Sequence, residues 1–356
     1  ACTAVRSGPT VITTFASGSM SSSSTLSDRS TPSEGPQPQR VRIPCSDGYE
    51  LGGLLFEASP SAASEHKKTP PRVLLLCGAI GVPCAFYRSF AAYAAQKMQY
   101  SCLLFDYRGI GISLPPGHDQ PTPRMLRALK HSMNDWGHLD IQAAIEFLSH
   151  RCADGGSIQV LAHSAGGQVL GLCPSKSLHK IRSLYTIGSQ AGYWKNWPFP
   201  HCLFIYGMSV AVNLLSHTFG YFPANLLGMG EPMGPGIGKD WGMWIRLPGY
   251  IRDPKAEASR DFSSSYETLT CPAQFATFVD DVRYAPKKAV DRLAEFYPNT
   301  RPRIRRDIQP HEIGQSQVGH FFMFKPACSP FWEQLFAWFQ RCDNPEESGE
   351  GLQAKL

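Results

Sequence analysis

The stretch Val160-Leu161-Ala162-His163-Ser164-Ala165-Gly166-Gly167 is the most informative part of this chain. Its first residues continue an apolar run from Ile158 that is typical of a short, fully buried strand. A serine follows at once, then three small residues, and then an apolar helix start at Gln168. Such a strand–serine–helix turn can hold a reactive hydroxyl clear of a sheet, because small neighbours let the chain turn tightly. The pattern predicts a nucleophile at Ser164; the alternative is a Ser-Gly loop that merely follows a buried strand.

Strand and helix patterns alternate on both sides of this stretch, from residue 41 to residue 341. The turn Ser46-Asp47-Gly48 separates two short strands and predicts a hairpin. Further along, apolar residues at i, i+3, i+4 and i+7 predict helices between buried strands. This alternation is typical of an α/β fold with a mainly parallel sheet flanked by helices. The predicted strands are Val41–Pro44, Leu51–Glu57, Val73–Cys77, Cys102–Asp106, Ile158–Ala162, Ser183–Ile187, Ala273–Val279 and Ile304–Ile308, and the predicted helices are Phe86–Met98, Met133–Arg151, Lys287–Phe296 and Phe331–Arg341.

Three segments depart from the alternation and define the predicted domain organisation. Residues 1–40 are rich in Ser, Thr and Pro without hydrophobic periodicity, which predicts a disordered tail, with an organelle transit peptide as the alternative. Residues 343–356 are polar and are expected to form a flexible tail. Residues 191–262 are rich in aromatic residues, Met, Gly and Pro, and are too apolar for a solvated loop. We therefore expect one domain, 41–342, with a helical cap at 191–262 that packs over the sheet and lines an apolar pocket.

Composition restricts the partners. The 356 residues are 42% hydrophobic, which is enough for a large core. The net charge is +5, and the densest basic cluster, Arg301 to Arg306, flanks a strand and is interpreted as a solvated strand edge rather than a nucleic-acid site. The longest apolar run, Cys202 to Leu215, is shorter than the roughly 20 residues of a membrane helix. We therefore expect no nucleic-acid partner and no stable membrane insertion.

The cysteines and glycines argue against several cofactors. The 11 cysteines have no C-x-x-C spacing, and several lie in apolar runs, which favours buried thiols in a reducing, cytoplasmic compartment and suggests no zinc site. The glycine-rich segment Gly78 to Pro83 contains neither G-x-G-x-x-G nor G-K-[ST], so a nucleotide is not expected. The sequence therefore predicts a protein that works without a metal or cofactor.

A serine hydroxyl becomes a nucleophile when a base accepts its proton and a third group orients that base. Downstream of Ser164, the predicted strand Ala273–Val279 ends at Asp280-Asp281, and His320 lies in the loop after the next strand. The carboxyl ends of parallel strands share one edge of a sheet, where the sites of such folds lie. Ser164, Asp281 and His320 are therefore the candidate catalytic residues.

The base and the acid each have an alternative. His311 precedes His320 by only nine residues, whereas His163 adjoins the serine but is expected to point away from the position of a base. Asp280 is the alternative acid. Whichever aspartate is not the acid is expected to cap the turn or the helix before Pro286.

The oxyanion of a tetrahedral intermediate needs two backbone N–H donors. One is expected from Ala165, which follows the serine at a helix N-terminus. The other is expected from the loop Cys77 to Pro83, whose glycines allow close backbone approach to a ligand. In that loop Ala79 is the preferred donor and Ile80 the next.

Two further groups of residues are interpreted as structural. The segment Asp106 to Ser113 combines an aspartate and an arginine with two glycines, which indicates a tight turn braced by internal hydrogen bonds. Trp136, Gly137 and Asp140 lie on the following helix and are expected to serve packing and capping.

Taken together, these residues resemble the α/β-hydrolase superfamily over about 41 to 341. The resemblance rests on Asp106 to Gly111, the serine motif at Ser164, Asp280-Asp281 and Gly319-His320-Phe321. The chain departs from the G-x-S-x-G pattern at Ala162, which replaces the first glycine. More narrowly, it is similar to predicted hydrolases of the serine aminopeptidase and monoacylglycerol-lipase type, on the segments 78–83, 135–137, 192–194, 220–223 and 284–286.

The resemblance implies a triad of Ser164, His320 and Asp281 and an acyl-enzyme mechanism without a cofactor. The apolar, aromatic cap favours a small-molecule ester or thioester with a hydrophobic acyl part. We therefore expect a serine hydrolase. The alternatives are an acyltransferase that uses the same triad and a binding protein that keeps the fold without catalysis.

Overall fold

The computed structural model describes residues 37–58, 72–152 and 157–343. The predictions for residues 1–36 and 344–356 therefore lie outside the described residues. In the described chain, one eight-stranded sheet has the order β1-β2-β4-β3-β5-β6-β7-β8. Its strands are β1 (Gln39–Pro44), β2 (Glu50–Phe56), β3 (Arg72–Cys77), β4 (Ser101–Phe105), β5 (Ser157–His163), β6 (Ile181–Ile187), β7 (Ala273–Phe278) and β8 (Arg303–Ile308).

One strand of this sheet, β2, runs against the others. It pairs antiparallel with β1, as the predicted hairpin requires, and antiparallel with β4. All other neighbouring strands are parallel, from β4 through β3, β5, β6 and β7 to β8. Parallel neighbours need long crossover connections, which explains the helices between the strands. The predicted α/β fold with a mainly parallel sheet is confirmed.

Apolar side chains leave the strands alternately on the two faces of the sheet. Leu75 and Leu103 pack into the core on one face, and Leu74 and Leu104 into the core on the other. Helices close both cores. They are α1 (Arg88–Lys97), α2 (Pro123–Ala128), α3 (Met133–Asp135), α4 (Gln142–Ser149), α5 (Ala165–Val169), α6 (Ser175–Leu178), α7 (His201–Phe219), α8 (Pro235–Arg246), α9 (Pro254–Glu257), α10 (Lys287–Ala294) and α11 (Ser329–Asp343), with a π-helical turn at Trp136–Ile141 that joins α3 to α4.

A buried ion pair ties the turn after β4 to this π-helical turn. Arg108 Nε donates to Asp140 Oδ1 at 2.6 Å, and the Arg108 backbone N–H donates to Asp140 Oδ2 at 2.9 Å. The guanidinium also donates to Asp47 in the hairpin turn, with 2.7 Å between Nη1 and Oδ2. Arg108 and Asp140 are both buried, so each charge depends on the other for its stabilisation. Asp140 therefore does more than the packing and capping expected of it.

Replacing Arg108 with methionine is expected to lower the free energy of unfolding by about 3–5 kcal/mol at pH 8, because Asp140 would keep an unpaired buried charge. Burial raises the pKa of Asp140, and Arg108 opposes that shift. Without Arg108 the folded state binds a proton more readily than the unfolded chain, so the loss should shrink as the pH falls toward 5. Urea unfolding at the two pH values measures the effect.

The double variant Arg108→Met/Asp140→Leu is expected to recover most of that loss, since no charge remains buried. Asp47→Asn is the matched control. The Asp47 side chain is 38% exposed, so this change should cost less than about 1 kcal/mol. Equal destabilisation in the single and double variants would contradict the assignment.

The chain between β6 and β7 contains α7, α8 and α9. α7 and α8 pack closely because small residues face one another: a Cβ on Gly238 would lie 2.0 Å from Ser216 Oγ, and one on Gly242 would lie 2.9 Å from the Ser209 carbonyl oxygen. Large side chains anchor this segment to the rest of the chain, and the buried aromatic ones include Trp197, Phe222, Trp244 and Tyr250.

Helix α7 contains the apolar run Cys202 to Leu215 and extends beyond it at both ends. The helix has 19 residues, and by length and composition it is the one helix of the described chain that is apolar enough to cross a membrane. Only 22% of its most apolar window is buried, and Leu203, Phe204 and Leu214 are exposed.

Candidate active site

Ser164 lies in a strained turn between β5 and α5. Its backbone has φ 52° and ψ −116°, a left-handed conformation that is rare for a residue other than glycine. The turn is tight because small residues follow. A Cβ on Gly166 would lie 2.3 Å from the Cys77 carbonyl oxygen, and one on Gly167 would lie 2.4 Å from Ser189 Oγ. The local geometry is that of the predicted strand–serine–helix turn, and strain of this kind concentrates at functional sites.

The alanine that replaces the first glycine of the motif is accommodated inside the sheet. Ala162 belongs to β5 and pairs with Cys77 on β3 and Thr186 on β6. Its methyl group is fully buried in the core on one face of the sheet. The tight part of the turn begins two residues later, so the methyl group lies outside it.

His320 and Asp281 form a buried pair at the carboxyl end of the sheet. His320 Nδ1 lies 2.6 Å from Asp281 Oδ2, and the two residues are 6% and 3% exposed. Because a carboxylate only accepts, the proton lies on Nδ1, which leaves Nε2 free to act as a base. Tyr284 stacks on the imidazole at 4.9 Å between ring centroids, and the edge of Phe321 meets it at 4.8 Å. These rings shield the pair from water.

Asp280 has a different partner. Its Oδ2 accepts from the N–H of Val318 at 2.7 Å and from the N–H of Gly319 at 3.0 Å. It therefore holds the loop that carries His320, whereas the aspartate that is not the acid was expected to cap the turn or the helix before Pro286. The two neighbouring aspartates therefore have different partners. Asp281 contacts the His320 imidazole, and Asp280 contacts the backbone just before His320.

The other histidines occupy different positions. His311 is exposed in the short 3-10 turn Pro310–Ile313. His163 is fully buried beside Ser164, and its Nε2 lies 2.9 Å from the carbonyl oxygen of His320. His163 thus contacts the backbone of His320 and not the position of a base.

Ser164 and His320 both lie against the corner that follows β6. The Ser164 N–H donates to the Ile187 carbonyl at 3.2 Å. The next residue is Gly188, with φ +61°, and a Cβ there would lie 3.0 Å from two atoms of the His320 ring and 3.4 Å from Asp281 Oδ2. Among the described residues no hydrogen bond joins the Ser164 hydroxyl to His320, and such bonds are often long before substrate binds.

The expected oxyanion donor Ala79 needs a correction. Its N–H already donates to the Tyr87 hydroxyl at 2.9 Å, so it is not free for a ligand. In the described chain neither Ile80 nor Ala165 donates its N–H to another backbone group outside the regular elements. Tyr87 lies at the end of a 3-10 turn, and nothing in the loop sequence signals that its hydroxyl would reach Ala79. Ile80 and Ala165 are therefore the available pair.

An apolar groove lies beside the acid loop. Its volume is about 800 Å³, and it is lined by residues at the start of the segment between β6 and β7 and by the two residues after Asp281. The residues that line the groove are Pro198, Pro200, His201, Phe204, Val282 and Arg283.

Within the described residues, no group of three or more His, Cys, Asp or Glu side chains is placed to hold a metal ion.

Part of the chain is similar to a known protein family. The family model of the alpha/beta hydrolase fold matches residues 71–226. This range contains Ser164 and ends before Asp281 and His320. No curated protein matches the chain.

Solved structures extend the comparison beyond this range. A soluble variant of monoglyceride lipase from Saccharomyces cerevisiae is 15% identical, with a TM-score of 0.55, and the match covers 86% of this chain and 96% of that one. An esterase of Pyrococcus furiosus is 14% identical, with a TM-score of 0.52 and coverage of 89% and 95%. The esterase of Exiguobacterium antarcticum is 14% identical, with a TM-score of 0.52 and coverage of 85% and 100%.

At these identities the likeness concerns the fold. This protein has the α/β-hydrolase fold, and its resemblance to the α/β-hydrolase superfamily is confirmed. A monoglyceride lipase is among the structures that share this fold.

Proposed function

We propose that this protein is a serine hydrolase that cleaves a carboxylic ester or thioester with a hydrophobic acyl part. The observation that carries the proposal is the 2.6 Å hydrogen bond between His320 Nδ1 and Asp281 Oδ2, in a buried pair beside the strained turn of Ser164. The fold supports it, because esterases and a monoglyceride lipase share this architecture.

The proposed mechanism is acyl transfer to water. His320 Nε2 accepts the proton of Ser164 while Oγ attacks the acyl carbon, and Asp281 stabilises the imidazolium that forms. The oxyanion is bound by the N–H groups of Ala165 and Ile80. His320 then protonates the leaving alcohol or thiol, activates a water molecule, and the acyl group leaves Ser164 as a free acid.

The proposed substrate class follows from the surroundings of the site. The groove beside Asp281 is mainly apolar, with Phe204 and Val282 on its walls and Arg283 as its formal charge. An acyl chain gains about 0.8 kcal/mol per buried methylene in such a place. We therefore assign the groove to the acyl part of the substrate.

A series of p-nitrophenyl esters of rising acyl length tests the substrate class. We expect kcat/KM to rise about fourfold per methylene while the chain fills the groove, and then to level off. The variant Val282→Ser should flatten the rise and leave turnover of the acetate ester within about threefold of wild type, since it changes the wall and not the triad. An unchanged slope in Val282→Ser would remove the groove from the proposal.

A fluorophosphonate probe tests the enzyme class. We expect rapid covalent labelling of wild type, and peptide mass spectrometry should place the label on Ser164. Addition of an acceptor alcohol tests for acyl transfer, because a transferase would divert product from free acid to a new ester. A wild-type protein that takes up no label would contradict both the hydrolase proposal and the acyltransferase alternative.

A further inference from the structure

A continuous line of buried hydrogen bonds runs from the loop after β3 to the backbone of His320. The Ala79 N–H donates to Tyr87 Oη at 2.9 Å, and Tyr87 Oη lies 2.9 Å from His163 Nδ1. His163 Nε2 lies 2.9 Å from the His320 carbonyl oxygen. Tyr87 is 1% exposed and His163 is fully buried, so water does not compete for these groups.

The direction of every bond in this line is fixed. A backbone N–H at Ala79 only donates, and a carbonyl at His320 only accepts. His163 must therefore carry its proton on Nε2, which leaves Nδ1 as an acceptor. Tyr87 then has to donate its hydroxyl proton to Nδ1 while it accepts from Ala79. One protonation state satisfies all four groups, with neutral histidine in the middle.

The surroundings favour that neutral state. Burial, together with the nearby His320, holds the pKa of His163 well below its usual value. Burial also raises the pKa of Tyr87, so its hydroxyl keeps the proton that it donates. A protonated His163 would present a second N–H to Tyr87 and break the line.

The line connects three parts of the proposed machinery. Ala79 precedes Ile80, the available oxyanion donor of that loop. His163 precedes Ser164 in the chain, and its Nε2 contacts the backbone carbonyl of His320. Tyr87 also fits against the loop, since a Cβ on Gly78 would lie 3.1 Å from its ring. A displacement of any one part would strain the bonds to the other two.

We propose that Tyr87 and His163 are positioning residues that set the oxyanion loop, Ser164 and His320 at fixed distances from one another. This inference rests on the proposed function. Neither residue touches the substrate or exchanges a proton during the reaction. Their effect should therefore fall on kcat and not on substrate binding, because they order groups that act in the transition state.

The variant Tyr87→Phe removes one hydroxyl and tests the inference. We expect kcat for a p-nitrophenyl ester to fall about 10- to 100-fold with KM within about threefold of wild type, since two buried groups lose their partner. The rate of fluorophosphonate labelling should fall in parallel. Tyr185→Phe is the matched control, because Tyr185 is an equally buried tyrosine on β6 outside this line.

A second pair of variants tests His163 independently. Glutamine supplies one donor and one acceptor, whereas leucine supplies neither. We expect His163→Gln to keep a kcat about tenfold above that of His163→Leu, with similar thermal midpoints of unfolding. In the double variant Tyr87→Phe/His163→Leu the loss in kcat should be no larger than that of His163→Leu alone, because residues that act as a unit are not additive.

The outcomes separate this inference from the proposed function. If wild type takes up no fluorophosphonate, the proposed function fails. If wild type is labelled but Tyr87→Phe and Tyr185→Phe behave alike, the positioning role is wrong and the hydrolase proposal stands. Equal kcat values for His163→Gln and His163→Leu, or losses that simply multiply in the double variant, would also overturn it.

Discussion

Ser164→Ala is expected to lower kcat for ester hydrolysis by about 10⁶-fold and to abolish fluorophosphonate labelling, because alanine has no hydroxyl to form the acyl-enzyme. The residual rate would come from substrate binding and the oxyanion donors, which the substitution leaves in place. The fold should be retained, since the left-handed backbone of residue 164 is set by its neighbours and the removed hydroxyl is small. Steady-state kinetics and thermal unfolding of the same preparation measure both quantities.

Ser183→Ala is the matched control for this variant. Ser183 is another buried serine, on β6, and the removal of its hydroxyl should change kcat less than about threefold. Labelling that persists in Ser164→Ala would mean that another residue is the nucleophile. Ester hydrolysis that falls equally in the two variants would indicate a loss of folded protein and contradict the assignment.

The alternation of strands and helices made the sheet predictable from the sequence. Each buried strand carries its own apolar run, and the residues that follow β5 and β7 fall at the carboxyl edge by the geometry of a parallel sheet. For the same reason Ser164, Asp281 and His320 were predictable as candidates. Each of the three residues lies in a segment that follows a predicted strand.

The finer geometry was not predictable because it depends on side chains from distant segments. Asp280 and Asp281 are adjacent and chemically equal, and only the direction of each side chain decides that one contacts His320 and the other Val318. The loss of Ala79 as an oxyanion donor depends on Tyr87, which no short-range pattern connects to that loop.

Helix α7 shows another limit of reasoning from pattern. A surface helix usually turns its polar residues outward. In α7 the residues that pack inward include Ser209 and Ser216, because close contact with the glycines of α8 requires small side chains. Leu203 and Leu214 face outward. Packing against α8, and not the hydrophobic pattern of α7 itself, determines which face of α7 is buried.

The pair Asp281→Asn and Asp280→Asn is expected to separate the two aspartates sharply. Asparagine at 281 can present an N–H to His320 Nδ1, which favours the wrong tautomer, and kcat should fall about 10⁴-fold. At 280 the same oxygen, Oδ2, accepts both backbone bonds, and one amide oxygen can replace it. Asp280 Oδ1 has no partner among the described residues, so an amide there breaks no bond. Asp280→Asn should therefore stay within about fivefold of wild type.

Asp280→Ala completes the comparison, because it removes the acceptor of both N–H groups in the loop that carries His320. We expect kcat to fall about 10- to 100-fold in this variant, well short of the loss in Asp281→Asn. Measurement of kcat/KM from pH 5 to pH 9 for all three variants distinguishes a changed base from a displaced loop. An Asp280→Asn variant as inactive as Asp281→Asn would show that the acid is not Asp281 alone. An active Asp281→Asn variant would remove this aspartate from the proposed triad, since only the carboxylate in contact with Nδ1 both holds the imidazole in the reactive tautomer and stabilises its charge.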